Sequence, residues 1–235
     1  MKKTHIITAL FVAALFLVNS AGAADKKATK PAAGGSEKMV ELKLELPKPM
    51  FVGTPMPVKL PNMEAPNTPA LKIMVPEGTT NLAKGKKVTS SDSAPVIGEL
   101  TMITDGDKEA TDGSYTELGP GLQWVQVDLG AKATLYAVAF WHYHAQARAY
   151  HDVIVQVSDD PDFVTDVKTV YNNDHDNSAG MGIGADKAYI EVNTGRLIDA
   201  KATVGRYVRL YSKGNTSNEM NHYIEIEVFG KPVAK

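Results

Sequence analysis

Apolar and polar residues alternate in short runs along most of this chain, and that pattern predicts β-strands. Residues 124–129 alternate and are followed by Gly130, so we expect a strand with one buried face. Residues 135–143 are almost entirely apolar, which predicts a central strand buried on both faces. Residues 153–158 alternate again and stop at an Asp-Asp-Pro turn.

Two further alternating runs, at residues 207–211 and 224–228, lie near the end of the chain. Clusters of Gly, Asp, Asn and Pro separate the runs, and the glycine-rich residues 180–184 predict a flexible loop. No window of this region has a sustained helical period with caps. Regularly spaced short strands with turn signals between them predict an all-β jelly-roll sandwich over residues 80–230, followed by a short tail at 231–235.

The segment before the sandwich has a different texture. Residues 40–46 alternate between apolar and charged side chains, so we expect one half-buried strand there. Eight prolines then follow between residues 47 and 76, and proline excludes a helix and an interior strand. Residues 39–79 are therefore predicted to be an extended Pro-rich segment. Its apolar side chains favour packing along the sandwich, and its proline content fits an unstructured linker equally well.

The first residues indicate export. Lys2 and Lys3 precede an apolar run at 6–18, which ends before small residues at an Ala-Gly-Ala site. These are the three parts of a secretory signal peptide, predicted at residues 1–23. Residues 24–38 contain few bulky apolar side chains and are predicted to be a disordered tether. No later run is long enough to span a bilayer, so we expect an exported protein, periplasmic or extracellular.

Charge and cysteine content narrow the function classes. The formal net charge of −2 excludes the dense cationic face that a nucleic-acid-binding domain needs. The chain has no cysteine, which excludes disulfides, thiolate metal sites, cysteine nucleophiles and attachment of lipid through cysteine. An exported domain of this kind is held together by its own core or by a bound ion.

Several short motifs occur in a recognisable order. They are Asn81-Leu82-Ala83, Ile103-Thr104-Asp105-Gly106-Asp107, the run at 124–130, Arg206-Tyr207-Val208-Arg209-Leu210 and the run at 224–230. In this order and spacing the chain resembles the discoidin family, also called the coagulation-factor type C domain, over about residues 80–230. The resemblance implies the galactose-binding-like jelly roll that also serves family-32 carbohydrate-binding modules. It implies ligand recognition by loops at one end of the sandwich, and a structural calcium.

A calcium site also has a case from the residues themselves. Calcium takes six to eight oxygen ligands, and Asp105-Gly106-Asp107 supplies two carboxylates around a turn. Ser114 or Thr111 can add a hydroxyl, and Glu225 resembles the carboxylate with which the family closes the site. Ala110 stands where the commoner pattern has a threonine. The alternative is an ordinary solvated turn.

A second group of residues is predicted to bind ligand. His144, Arg148 and His151 follow the apolar strand and are expected to be accessible. His175 and Asn177, in the turn-rich residues 172–177, are expected to help them. Sugar sites combine an aromatic surface with a few oriented donors and acceptors. The nearby Trp141 and Tyr143 are better explained as core residues than as that aromatic surface.

The sequence therefore predicts a secreted, non-catalytic binding module that recognises a carbohydrate, either a polysaccharide or a cell-surface glycan. No nucleophile elbow, zinc-protease motif or phosphate loop occurs in the chain, which argues against an enzyme. Two alternatives stay open. One is an envelope scaffold whose sandwich docks a protein partner, and the other is a hydrolase that uses an unrecognised pair of carboxylates.

Overall fold

One long strand, β6 (Gln123–Trp141), runs through the centre of the protein. It pairs with β9 (Arg196–Ser212) on one side and β11 (Glu225–Pro232) on the other. The computed structural model describes residues 37–51, 58–66 and 68–233. Strand β6 joins the two runs that the sequence predicts as separate strands. Gly130, with φ of +83°, lies in the segment where the pairing with β9 shifts register, so the chain bends there and continues as strand.

The other elements are short. They are β1 (Met39–Glu41), β2 (Met74–Pro76), β3 (Thr80–Asn81), β4 (Lys87–Ser90), a 3-10 helix (Leu100–Thr104), β5 (Thr116–Leu118), β7 (Ile154–Ser158), β8 (Lys168–Asn172) and β10 (Asn221–Tyr223).

The strands form one large antiparallel sheet and two small ones. The large sheet has the order β3-β11-β6-β9-β7-β8, with β4 also paired to β6. Strand β5 pairs with β10, and β1 pairs with β2. This architecture confirms the predicted all-β jelly-roll sandwich with its extended N-terminal segment. Within the described residues, no helix has the length and apolar character needed to cross a membrane.

The main core lies under β6, β7, β9 and β11. Every residue of β7 is buried, although its sequence alternates, because β8 and β9 flank it and both faces are covered. The fully buried aliphatic side chains of the central strands include Val125, Val127, Leu135, Val138, Ile154, Val155, Val157, Val208, Leu210, Ile226 and Val228. β-Branched residues suit this pleated, two-sided environment.

The Pro-rich segment lies on the sandwich. Val40 and Leu42 pack with Ile73 and Val75, and this group contacts Phe229 of β11. Strand β1 is shorter than the predicted run at 40–46, and beyond it the pairing continues through one bond, from Leu42 N–H to the Ile73 carbonyl at 2.9 Å. The prolines that follow cannot donate backbone hydrogen bonds. Farther along, Met63 pairs with Ala188 in a parallel bridge, and Glu64 N–H donates to the Ala188 carbonyl at 2.9 Å.

Two predicted boundaries differ from the structure. Lys38, placed in the tether, instead forms an ion pair with Glu77, Nζ to Oε1 at 2.6 Å. Lys231 and Pro232, placed in the tail, belong to β11, because the pairing with β6 extends to Ala133. The predicted signal peptide and residues 24–36 of the predicted tether lie outside the described residues.

The segment between β6 and β7 is fixed by backbone hydrogen bonds to several loops. Glu191 N–H donates to the Arg148 carbonyl at 2.8 Å, and Thr216 N–H donates to the Ala149 carbonyl at 2.9 Å. His151 exchanges bonds with residues 213 and 214, at 2.9 and 3.0 Å. The loops after β6, β8 and β9 therefore meet at one place.

Candidate functional site

A cluster of aromatic and charged side chains lies where these loops meet. We call Tyr115, Glu117, Tyr143, Arg148 and His222 the tyrosine–arginine surface. The rings of Tyr115 and Tyr143 are both half-buried and meet edge to face at 5.0 Å. The Arg148 guanidinium lies 4.7 Å from the centre of the Tyr143 ring. Such cation–π stacking holds the guanidinium in a fixed plane.

Arg148 is poorly satisfied for a buried cation. Its side chain makes one hydrogen bond, from Nη2 to Oε1 of Gln146 at 3.1 Å, and its Nε is buried without a partner. Among the described residues, no carboxylate lies within ion-pair distance of it. A buried charge usually has several hydrogen-bond partners, so this guanidinium retains capacity to bind an oxygen-rich ligand.

A hydrogen-bonded chain supports the surface from beneath. His222 Nδ1 lies 2.8 Å from the Tyr150 hydroxyl, and its Nε2 lies 2.9 Å from Oε2 of Glu117. Burial, with contributions from Arg148 and His142, lowers the pKa of His222 to about 3. The ring is therefore neutral near pH 7, with Nε2–H donating to the carboxylate and Nδ1 accepting from the tyrosine.

This chain predicts a loss of stability in acid. Between the native pKa of about 3 and the unfolded value of roughly 6.5, the unfolded state binds one more proton at His222. The free energy of unfolding should therefore fall as pH falls through this window, by about 2 kcal/mol from pH 6.5 to 5 for this one group. Urea unfolding at both pH values measures the change.

The comparison that isolates this residue uses two variants. His222→Asn should remove its part of the pH dependence, whereas Ser217→Asn, at an exposed residue without a titratable side chain, should leave the dependence unchanged. An identical pH dependence in the parent and in His222→Asn would show that the buried ring does not control it.

A second site lies near the same loops. We call it the polar pocket: a cavity of about 190 Å³ between the loops after β6, β8 and β9 and residues 60–62. Its polar lining includes His151, Asp152, His175, Asp176, Ser178 and Lys213. The volume is below the roughly 300–1,000 Å³ of sites for drug-sized ligands. The pocket therefore suits a small, polar ligand.

The five predicted ligand-binding residues are divided between these places. His151 and His175 line the polar pocket, and Arg148 lies at the tyrosine–arginine surface. Asn177 takes a left-handed φ of +61°, and its Oδ1 accepts the Gly182 N–H at 2.6 Å. Its side chain thus shapes a turn, which is a common local role of asparagine.

The expectation that His144 and Arg148 are accessible is wrong. His144 is 0% exposed, because its ring points inward and its Nε2 lies 2.9 Å from the Lys108 carbonyl oxygen. Arg148 is 5% exposed, because its side chain inserts beside the Tyr143 ring. A ligand could reach only the tip of Arg148, and His144 serves the structure.

The predicted calcium residues meet only in part. Gly106 N–H donates to Oε2 of Glu225 at 3.1 Å, so the Asp105 loop and β11 do come together. Glu225 is 0% exposed, and its Oε1 has no hydrogen-bond partner within the described residues. Burial, together with the nearby carboxylates of Glu227 and Asp105, raises the pKa of Glu225 to about 8.

The other two members of the set are engaged elsewhere. Ser114 Oγ shares a hydrogen bond with Thr111 Oγ1 at 2.8 Å, and Asp107 Oδ1 accepts the N–H of Glu109 at 2.9 Å. A neighbouring cation, Lys108, is paired with Glu227, its Nζ lying 2.9 Å from Oε1. Asp105 Oδ1 likewise accepts the Asp107 N–H at 2.8 Å, so Glu225 is distinguished by its buried Oε1, which has no hydrogen-bond partner within the described residues.

Comparison with known families decides which fold family this is. Residues 102–210 match the model of a coagulation-factor type C family, described as a NedA-like, galactose-binding domain. This segment is similar to the coagulation-factor type C family. The match covers the Asp105 loop, β5 to β8 and most of β9, and it confirms the resemblance found in the sequence. No curated protein matches the chain.

Solved structures that are similar to this chain include two carbohydrate-binding modules. One is the family-32 module of AlyQ in complex with 4,5-unsaturated mannuronic acid, with 23% identity, coverage of 61% of this chain and 93% of that one, and a TM-score of 0.44. Another is chitosan-binding module 1 of a chitosanase/glucanase from Paenibacillus sp. IK-5, with 24% identity, coverage of 64% and 99%, and a TM-score of 0.43.

A third similar structure is a family 89 glycoside hydrolase from Clostridium perfringens in complex with 2-acetamido-1,2-dideoxynojirmycin. Its identity is 18%, with coverage of 65% of this chain and 15% of that one, and the TM-score is 0.49. The likeness to these three proteins concerns the fold.

Sequence reasoning missed several residues of the type C domain. Glu117 and Tyr115 precede β6 in a segment with no motif, and only the fold brings them beside Arg148. Asp152, Asp176 and Lys213 line the polar pocket. The signal in the sequence for this pocket is the high density of polar residues at 172–177. Tyr143 was assigned to the core and is half-buried at the surface.

Proposed function

We propose that this protein is an exported, non-catalytic binding module that recognises carbohydrate through the tyrosine–arginine surface. The observation that carries the proposal is the buried, incompletely bonded guanidinium of Arg148 beside two half-exposed tyrosine rings. A pyranose ring has an apolar face, which can pack on aromatic rings, and a rim of hydroxyl groups, which can bond to oriented donors and acceptors.

The chemistry of the surface suits a polyhydroxylated, uncharged ligand. Arg148 supplies N–H donors, and Glu117 supplies a half-buried carboxylate that accepts from hydroxyl groups. Burial raises the pKa of Glu117, while the positive charge of Arg148 lowers it. A ligand that presents both donors and acceptors can bond to both groups, whereas a simple anion would be repelled by Glu117 and a simple cation by Arg148.

A glycan array probed with the chain lacking residues 1–23 tests this function, followed by calorimetric titration of the glycans that bind. We expect binding to a restricted set of neutral glycans, with affinities that change little with ionic strength. Absence of binding to every glycan on the array, together with capture of a defined protein partner, would support an envelope scaffold instead.

We also propose that calcium stabilises the domain at the Asp105 loop. Asp105 and the buried, unpartnered Oε1 of Glu225 would hold the ion, with backbone carbonyls and water completing its shell. A carboxylate that is fully buried without a cation is unfavourable, and calcium would permit it to ionise. The hydroxyl that the family resemblance would supply is absent, because Ala110 occupies that position and is buried.

This proposal predicts a calcium-dependent melting temperature. A ligand that binds only the native state stabilises it by about 2.7 kcal/mol at a hundredfold excess over Kd, so millimolar calcium should raise the melting temperature relative to chelator. In Asp105→Ala the rise in melting temperature should be smaller, because the Asp105 loop no longer binds calcium. A rise of equal size in the parent and in Asp105→Ala, measured by scanning calorimetry, would eliminate this site.

A further inference from the structure

Three aspartates converge beside the polar pocket, away from the Asp105 loop. One carboxylate oxygen from each of Asp152, Asp174 and Asp176 lies within 4.8 Å of the other two. Calcium holds its oxygen ligands at about 2.3–2.6 Å, so opposite ligands of one ion stand roughly 4.6–5.2 Å apart. The three oxygens are therefore spaced as ligands of a single ion would be.

The surrounding turn fixes these carboxylates in place. Ser178 N–H donates to Asp174 Oδ1 at 3.0 Å and to Asp176 Oδ1 at 3.1 Å, and Ala179 N–H donates to Asp174 Oδ2 at 2.9 Å. The Ser178 hydroxyl donates to Asp152 Oδ2 at 2.5 Å. Each oxygen retains a lone pair after accepting one such bond, so the same atoms remain able to bind an ion.

The negative charge of this cluster is poorly balanced. Among the described residues, one ammonium group lies within ion-pair distance of the three carboxylates, that of Lys213, whose Nζ is 3.8 Å from Asp152 Oδ2. Asp174 is fully buried. Carboxylates this close repel one another unless a cation or a shared proton intervenes.

Two buried side chains on the pocket wall have unused polar atoms. The Asp152 side chain is 8% exposed, and the bonds that it accepts fall on Oδ2. Asn173 is 3% exposed and lines the pocket; its Oδ1 accepts the Val153 N–H at 2.7 Å, while its Nδ2 lacks a partner within the described residues. Buried polar atoms are normally bonded, so the unpartnered Nδ2 of Asn173 points to a bound ligand with an oxygen-containing shell.

We infer that the polar pocket binds a divalent cation of the hard class, such as calcium, magnesium or manganese, through Asp152, Asp174 and Asp176. The carboxylates supply three oxygens, and water completes the coordination within the 190 Å³ cavity. Asn173 Nδ2 donates to one of these waters. His151 and His175 line the cavity but lie outside the three-oxygen set, which favours a hard cation over zinc.

The test uses the chain with Asp105→Ala, so that the Asp105 loop does not contribute. After treatment with chelator, calcium chloride, magnesium chloride and manganese chloride are each titrated by isothermal calorimetry. We expect one site for at least one of these ions. Asp176→Asn, at an exposed residue, should weaken binding at least tenfold, and the matched Asp162→Asn, at another exposed aspartate, should leave affinity unchanged.

Manganese provides an independent readout, because it broadens NMR signals of nearby nuclei. In the same Asp105→Ala protein, the imidazole signals of His151 and His175 should broaden first. Circular dichroism checks that Asp176→Asn is folded, and Asp152→Asn replaces it if it is not. The inference is overturned if none of the three ions binds, if Asp176→Asn and Asp162→Asn bind alike, or if manganese binds by calorimetry and its broadening spares both histidines.

Discussion

Replacing Arg148 with alanine is expected to weaken glycan binding roughly ten- to hundredfold. Hydrogen bonds from a charged donor contribute about 1.5–3 kcal/mol, and each 1.4 kcal/mol corresponds to about tenfold in affinity. The effect on folding should be smaller, because the side chain makes a single hydrogen bond within the protein. Calorimetric titration with the best glycan from the array measures the affinity.

Two companion variants make this result specific. Arg148→Lys keeps the charge but loses the planar set of donors, so it should bind weakly while remaining folded. Arg206→Ala is the matched control, because Arg206 also lies over a tyrosine ring, 5.0 Å from that of Tyr207, but is paired with Asp128. Parental affinity in Arg148→Lys and Arg148→Ala would place the glycan elsewhere.

Replacing Trp141 with alanine should have the largest effect on stability. Trp141 is 0% exposed, its Nε1–H donates to the Asn193 carbonyl at 2.9 Å, and Lys108 Nζ lies 4.9 Å from its ring. Truncation of a buried tryptophan costs about 3–5 kcal/mol, a large part of the roughly 5–15 kcal/mol of a typical domain. Denaturant unfolding should show a much lower midpoint.

The control is the protein's other tryptophan, Trp124, which is half-buried beneath Arg209 at 4.2 Å. Trp124→Ala should cost less, because less of its ring is removed from water. The folded fraction of Trp141→Ala should bind glycan with the parental affinity. A stable Trp141→Ala protein that has lost glycan binding would instead make Trp141 part of the ligand surface.

The sequence predicts the sandwich well because apolar residues recur at every second position of its strands and because its turns contain Gly, Asp and Pro. The sequence predicts two strands where the structure has the single strand β6, because a glycine that ends a strand and a glycine at a bulge look alike in sequence. Gly184 shows the same limit in a loop. A Cβ there would stand 2.1 Å from the Asn172 carbonyl oxygen, so this glycine permits close packing that composition alone reads as flexibility.

The candidate site is harder to predict for a topological reason. Glu117, Arg148 and His222 are far apart in the chain, and only the pairing of β5 with β10 and the backbone bonds of the β6–β7 segment bring them together. Trp141 is buried, as the sequence analysis expects, but His144 is buried against expectation. Beyond the end of β6, successive side chains no longer point alternately to the core and to solvent. The exposure of a residue there cannot be inferred from its position in the sequence.

The position of the bound glycan is tested most directly by mapping amide chemical-shift changes in an NMR titration. Carbohydrate binding at the tyrosine–arginine surface predicts the largest changes at residues 115–118, 143–149 and 221–223. Changes confined to residues 151–152, 173–178 and 213, which surround the polar pocket, would contradict that assignment.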